Sequence, residues 1–284
     1  MIAITAATGQ LGRHVTEQLL AQVPAAQVVA VVRNPAKATD LSAQGVTVRA
    51  GDYNDKASLV AAFQGVQKVL LISSNEIGQR ARQHQNAIDA AKEAGVSLLV
   101  YTSLLKADTS PLSLAPEHLA TEQALKASGV PYVILRNGWY SENYAGSVPT
   151  ALAHGAFVGS AGEGRIASAA RADYAAAAVV ALTQDLTANQ TFELAGDEAY
   201  TLTELAAEIS RQSGKDVPYV NLPEAEYAAV LSQAGLPTDL AQAIAGWDAG
   251  AAQGALFDDR QVLSQLIGRP TTPLSATISQ ALQA

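Results

Sequence analysis

The sequence predicts an α/β chain: a Rossmann-like, doubly wound parallel sheet with a smaller, mostly helical C-terminal domain. Three observations carry this. Short apolar runs alternate with helical stretches from residue 2 to residue 137. The runs are apolar throughout rather than every second residue, which marks strands covered on both faces. A glycine-bearing turn, "TAATGQLG" (5–12), joins the first strand to the first helix.

The elements follow in order. "IAIT" (2–5) is a strand, and a helix runs from near Leu11 to Gln22. "QVVAVVR" (27–33) is the second strand, and "ATDLSAQG" (38–45) a helix closed by glycine. "VTVRAGD" (46–52) is the third strand and "KASLVAAFQG" (56–65) the next helix. "KVLLISS" (68–74) and "SLLVYTS" (97–103) are strands four and five, with a long helix (78–95) between them. A helix (115–129) leads to the sixth strand, "PYVILRN" (131–137). After Gly138 the rhythm stops. "RADYAAAAVVALTQ" (171–184) is an alanine-rich helix packed on the sheet, and "TFELAG" (191–196) a strand. Thr201-x-x-Glu204 is a capping pattern opening a helix that ends at Gly214. Further helices are expected at 224–233, 239–251, 259–267 and 274–282. The expected division is a nucleotide-binding domain at 1–145, with 171–196 packing back on its sheet, and a smaller covering domain at 146–170 and 197–284.

Composition narrows the function. Hydrophobic residues make up 49% of the 284, enough for a large core, and 15% are charged, too few for a disordered chain. A net charge of −8 without a basic run argues against nucleic acid, because phosphate backbones need clustered Lys and Arg. There is no cysteine, which excludes disulfides, thiol nucleophiles and thiolate metal sites. His14, His84, His118 and His154 lie far apart, outside any ligand-spacing motif, so no metal is expected. No apolar run approaches a membrane span and no leader is visible, so the expected location is the cytoplasm.

A strand, a glycine turn and a helix in that order make an anion site, because the helix's first amides and its dipole face the same point. The amides of Thr8, Gly9, Gln10, Leu11 and Gly12 are the candidate pyrophosphate donors. Gly9 and Gly12 occupy the second and third glycine positions of this fingerprint, and Ala6 stands at the first. If Ala6 needs a positive φ, its methyl costs about 1–2 kcal/mol. The second strand ends in Arg33, with Lys37 four residues on, where NAD enzymes often place an acid for the ribose hydroxyls. An arginine suits a 2′-phosphate instead, so NADPH is expected, with NADH weaker. Asp52 and Tyr53 end the third strand, where an adenine would lie. Ser73 and Ser74, and Thr102 and Ser103, end the fourth and fifth strands in hydroxyls at the edge where such sheets bind ligands.

"LRNGWYSENY" (135–144) and "ASAARADYAAAA" (167–178), with the turn and "FELAGDEAYTLTELAAE" (192–208), closely resemble the type 2 NAD(P)H:quinone oxidoreductases. These are NmrA-like, atypical short-chain dehydrogenases related to the triphenylmethane dye reductases. The resemblance covers nearly the whole chain and departs from the family at Ala6. It implies an NADPH domain, a smaller C-terminal domain, and a small-molecule quinone held in the cleft between them. It places Trp139 and Tyr140 as flat walls, Asn143 as a hydrogen-bonding partner for a quinone carbonyl, and Asn137 and Gly138 beside the nicotinamide through their backbone. Phe157, on an expected loop with His154, and His118 are further substrate candidates. Oligomeric state is left open.

Related enzymes that reduce simple ketones carry Tyr-x-x-x-Lys on the helix after the fifth strand. Here that helix reads His118-Leu119-Ala120-Thr121-Glu122, so no catalytic acid is assigned. An alkoxide is about as basic as hydroxide, whose parent acid water titrates at about 15.7; a phenol titrates near about 10. That gap, about 7 kcal/mol, is why a quinone takes a hydride with little help from a protein acid. The expected reaction is direct hydride transfer from NADPH to a quinone, without flavin. Two alternatives share the same features: a non-catalytic NADP(H)-binding redox sensor, and a reductase of another delocalised electrophile such as a triphenylmethane dye.

Overall fold

Continuous apolar runs such as Val28–Val32 can be buried along their whole length only between two helical layers, and all five residues are buried. The computed structural model describes residues 1–283. In chain order β1 (Ile2–Thr5), α1 (Gln10–Leu20), β2 (Val28–Val32), α2 (Thr39–Ala43), β3 (Thr47–Ala50), α3 (Lys56–Ala62), β4 (Lys68–Leu71), α4 (Arg80–Glu93), β5 (Leu98–Leu104), α5 (Ala115–Ser128) and β6 (Tyr132–Asn137) give the expected alternation. Then come α6 (Ser141–Ala145), α7 (Val148–His154), β7 (Phe157–Gly159), α8 (Arg171–Thr183), β8 (Gln190–Leu194), α9 (Leu202–Ser213), β9 (Tyr219–Asn221), α10 (Glu224–Gln233), α11 (Thr238–Ala252), α12 (Val262–Ile267) and α13 (Leu274–Gln283).

The main sheet runs β3-β2-β1-β4-β5-β6-β8. Order reverses between β1 and β4, the switch point beyond which ligands of such sheets lie. The ladders among β1 to β6 are parallel. At the β8 edge the Asn189 N–H donates to the Tyr132 carbonyl and the Gly138 N–H to the Leu194 carbonyl, so β8 runs in the same direction.

The chain divides into two units. The first comprises Met1–Asp108, Leu114–Asn137 and Arg171–Glu193. Its larger core gathers Val29, Leu59, Phe63, Leu71, Ile88, Leu99, Tyr101, Leu125 and Ile134. Alternate strand residues such as Ile4 and Leu70 face the other side, and α1 packs against the alanine-rich α8. The second unit comprises Thr109–Ser113, Gly138–Ala170 and the chain from Leu194 onward. It holds the paired strands β7 and β9 and a set of helices in which α13 packs on α6, α7 and α9, and α10 on α11.

Two local expectations changed. The segment at 141–159, where no helix or strand was assigned, folds into α6, α7 and β7. The helix expected at 259–267 starts at Val262, because the Asp258 carboxylate pairs with Arg260 and accepts its backbone N–H, making a turn. The capping box at Thr201 and Glu204 forms as its spacing demands. Among the described residues no helix is long and apolar enough to cross a membrane.

Candidate functional site

Two positions shape the β1–α1 turn, one through its backbone angle and one through lack of room for a side chain. Ala6 adopts φ 48, the left-handed region that favours glycine. Its carbonyl accepts the Gly9 N–H at 2.8 Å and closes the turn, so that N–H, expected as a pyrophosphate donor, is committed within the chain. At Gly12 a Cβ would sit 2.4 Å from the Ala6 oxygen and 2.8 Å from the Ala7 Cα, so the helix can lie this close to the turn only without a side chain. Gly9 is the N-cap of α1, and no side chain caps the helix. Its first-turn amides therefore keep their hydrogens for a ligand. The methyl of Ala6 carries the positive-φ cost and leaves those donors in place.

Around this turn the strand ends are tied together. The Thr5 hydroxyl donates to the Leu70 carbonyl at 2.9 Å and accepts the Ile72 N–H at 3.0 Å. The Tyr53 hydroxyl lies 2.5 Å from Thr5 Oγ1 and 2.6 Å from the Ile72 carbonyl oxygen, and burial pushes its pKa up. Tyr53 therefore braces β1 against β4 and offers a ligand only its half-buried ring. Asp52 Oδ1 accepts the Asn54 N–H at 2.8 Å. Arg33 and Lys37 are exposed beyond β2, and Arg33 Nη1 is paired with Glu76 at 3.0 Å.

The polar groups that follow β4 and those of β5 are largely committed. Thr102 Oγ1 accepts the Ser73 N–H at 2.9 Å, and Ser74 Oγ accepts the Glu76 N–H at 3.1 Å. Ser103 donates to Glu122 at 2.6 Å. Glu122 is fully buried and holds Arg136 through two hydrogen bonds of 2.8 Å, and Arg136 also reaches Asp108 and Glu193. These carboxylates push the Arg136 pKa up, its hydrogen bonds to Glu122 foremost. The position where a catalytic lysine would stand thus anchors an internal ion-pair network.

The tyrosine position is equally committed. His118 is buried, with Nδ1 2.7 Å from the Tyr101 hydroxyl and Nε2 3.4 Å from Arg80 Nη1. An arginine can only donate, so Nε2 accepts and Nδ1 carries the proton. His118 was expected to meet substrate; burial among internal partners corrects that. His84, on α4, is also fully buried. Its Nε2 accepts the Ser74 N–H at 2.9 Å, and its Nδ1 faces Thr121 Oγ1 at 2.9 Å. Burial first, and the Arg80 charge second, lower both histidines to a pKa of about 3.

At the end of β6, Asn137 departs from the expectation in a useful way. Its carbonyl accepts the Leu105 N–H and the Gly138 N–H goes to Leu194, so these two backbone groups are committed. The buried Asn137 side chain, by contrast, has neither its oxygen nor its nitrogen hydrogen-bonded. An unsatisfied buried amide costs about 1–3 kcal/mol. A ligand presenting both a donor and an acceptor removes that cost.

In the second unit, half-buried Trp139 packs edge-on against Trp247, ring centroids 5.7 Å apart. Trp247 Nε1 donates to Ser113 at 3.1 Å. The Ser141 N–H and the Trp139 carbonyl both bond to Ala169, which fixes the strand-like entry to α6. Tyr140 is half-buried and Asn143 exposed. Phe157, expected on a covering loop, lies instead in β7, is 3% exposed and packs against Tyr144. Asp248 is a buried carboxylate that sequence reading missed: it accepts from the Tyr144 hydroxyl and the Ser160 N–H, both at 3.0 Å, and burial raises its pKa. Trp247 was missed because its partner lies 108 positions away in sequence. Among the described residues no group of three or more His, Cys, Asp or Glu side chains could hold a metal ion.

Comparison with known proteins matches residues 6–185 to the family described as NAD(P)H-binding. The chain belongs to that family. It is 60% identical to Quinone oxidoreductase 2 of Escherichia coli (strain K12) over 98% of each chain. The crystal structure of the NADPH-dependent quinone oxidoreductase QOR2 from E. coli complexed with NADPH superposes with a TM-score of 0.97 at 60% identity, covering 99% of this chain and 100% of that one. The Citrobacter sp. triphenylmethane reductase complexed with NADP(H) superposes with a TM-score of 0.96 at 39% identity, over 99% and 100%. A Rossmann-like parallel sheet followed by a largely helical part is therefore the family arrangement, and Ala6 does not perturb it.

Proposed function

We propose that the chain reduces quinones with NADPH, in the cytoplasm, by direct hydride transfer. The observation that carries this is 60% identity over almost the whole length to a protein named Quinone oxidoreductase 2, in a chain whose coenzyme turn is intact. The first-turn amides of α1 fit a pyrophosphate, because no side chain caps the helix and they are left to donate. Arg33 and Lys37 supply charge for the 2′-phosphate. The unpartnered Asn137 amide fits the carboxamide of a nicotinamide. When bound, the coenzyme supplies the hydride. Trp139 and Tyr140 offer flat surface to a planar acceptor, and Asn143 a hydrogen bond.

The committed state of His118 and Glu122 supports the same reading. A ketone reductase needs a proton donor at those positions, whereas a quinone yields a phenolate-like anion that water can protonate. The test mixes protein, NADPH and 1,4-benzoquinone and follows loss of nicotinamide absorbance. Turnover above the protein-free control supports the reading; a rate equal to the control contradicts it. Similarity to the triphenylmethane reductase favours a second acceptor class, cationic dyes. Decolourisation of such a dye under the same conditions checks it.

A further inference from the structure

The ion pair between Arg33 and Glu76 has a consequence for coenzyme choice. Arg33 ends β2, Glu76 lies in the segment between β4 and α4, and Nη1 and Oε1 are 3.0 Å apart. The arginine side chain is 64% exposed and the glutamate 39%. Such a pair alone would be an ordinary surface contact. Glu76, however, is held in place from below. Its second carboxylate oxygen accepts from Gln83 Nε2 at 2.7 Å, and Gln83 on α4 is 1% exposed. Its backbone N–H donates to Ser74 Oγ at 3.1 Å. The Ser74 N–H is in turn held by the buried His84, and the Ser74 carbonyl accepts from Arg80 Nε at 2.5 Å. The Gly78 and Arg80 N–H groups both donate to the Glu117 carboxylate on α5. The 74–80 segment is therefore tied to α4 and α5, and Glu76 is a held anion presented to a largely exposed cation.

We propose that Glu76 sets how strongly this chain prefers NADPH over NADH, by holding Arg33 in an ion pair that an incoming 2′-phosphate must break. The inference rests on the reading that Arg33 meets the 2′-phosphate. A phosphate and a carboxylate compete for the same guanidinium face, and both prefer its paired donors. NADPH binding therefore exchanges one partner of Arg33 for another, and part of the new interaction is offset by loss of the old. NADH carries no 2′-phosphate, leaves the pair closed and incurs no such loss. Glu76 thus narrows the gap between the two coenzymes. The same exchange occurs with oxidised coenzyme, which keeps its 2′-phosphate, so Glu76 also eases its release. An exposed ion pair is worth at most a factor of about five in an equilibrium, which bounds the effect.

Calorimetric titration of the full chain with NADPH, NADH and the fragment adenosine 2′,5′-bisphosphate, against adenosine 5′-monophosphate, tests this without turnover. Glu76→Gln removes the charge and keeps an acceptor for Gln83; Glu76→Ala is the second variant. Both are expected to tighten NADPH and the bisphosphate about two- to five-fold, leave NADH and the monophosphate unchanged, and lose the effect when combined with Arg33→Ala. Unchanged or weaker NADPH binding in Glu76→Gln, with Arg33→Ala still selectively weakening NADPH, overturns the proposal and spares the Arg33 reading. Tightening that persists in the double variant overturns the ion-pair mechanism. Equal losses of NADPH and NADH in Arg33→Ala overturn both.

Discussion

Two polar regions at the carboxyl edge of the same sheet behave in opposite ways. At the β1–α1 turn, no side chain caps the helix, and its leading amides are left with hydrogens to donate. At the β5–α5 region, Ser103, Glu122, Arg136, His118, Tyr101 and His84 are all buried and hydrogen-bonded to one another or to neighbouring groups. A polar residue near a ligand edge is thus not by itself a ligand contact; what separates the two cases is whether its bonding capacity is already used. The closed region occupies the positions where ketone-reducing relatives keep their acid pair. In this chain those positions are bound to one another, and the open turn keeps donors available.

If the β5–α5 region is structural, it should break as structure breaks. Glu122→Ala strands the Arg136 guanidinium without its bidentate partner; we expect a loss of roughly 3–5 kcal/mol in denaturant unfolding. Acid should reveal the histidines. His84 and His118 have pKa values near 3 in the folded chain, against 6.5 for an ordinary imidazole. The unfolded chain therefore binds more protons between those limits. Stability is complete above pH 6.5 and falls as pH drops toward 3, with a slope of about 1.4 kcal/mol per pH unit for each histidine. Unfolding curves at several pH values check this, and a flat profile would mean the histidines are not buried neutral.

The open turn should respond through ligand affinity instead. Gly12→Ala places a methyl 2.4 Å from the Ala6 oxygen, so the turn must shift; NADPH and NADH should both weaken by about ten-fold or more, since about 1.4 kcal/mol suffices for that. Arg33→Ala should weaken NADPH by about ten-fold, the value of one charge-assisted contact, and spare NADH. The smallest expected effect is at Ala6. Glycine accepts φ 48 without the methyl's cost, so Ala6→Gly should stabilise the fold by about 1 kcal/mol and tighten coenzyme modestly; thermal unfolding with and without NADPH separates the two.

How much of this was legible in the sequence follows from how local each signal is. The parallel sheet showed because strand stretches such as 28–32 and 98–101 are apolar at consecutive positions, a pattern only two-sided burial rewards. The turn showed because glycines at fixed offsets from a strand have a steric reason. The short elements α6 and β7, five and three residues long, have too few positions for a period to emerge. The buried polar network was hidden because His84 and Thr121 are 37 residues apart and α4 reads as a polar surface helix. The partners of Arg33 and Trp139, namely Glu76 and Trp247, were hidden for the same reason: pairing across strands or helices leaves no mark on sequence spacing. Asn137 was recognised, but the unpaired state of its amide becomes visible only once every neighbouring donor is placed.

The most direct test of the central claim is a single-turnover experiment with flavin-free protein, 1,4-benzoquinone, and NADPH carrying deuterium on one or the other face of nicotinamide C4. Direct transfer predicts oxidation faster than the protein-free mixture, slowed by deuterium on one face and indifferent to it on the other. Oxidation that matches the protein-free mixture, or that starts only when flavin is added, would contradict it.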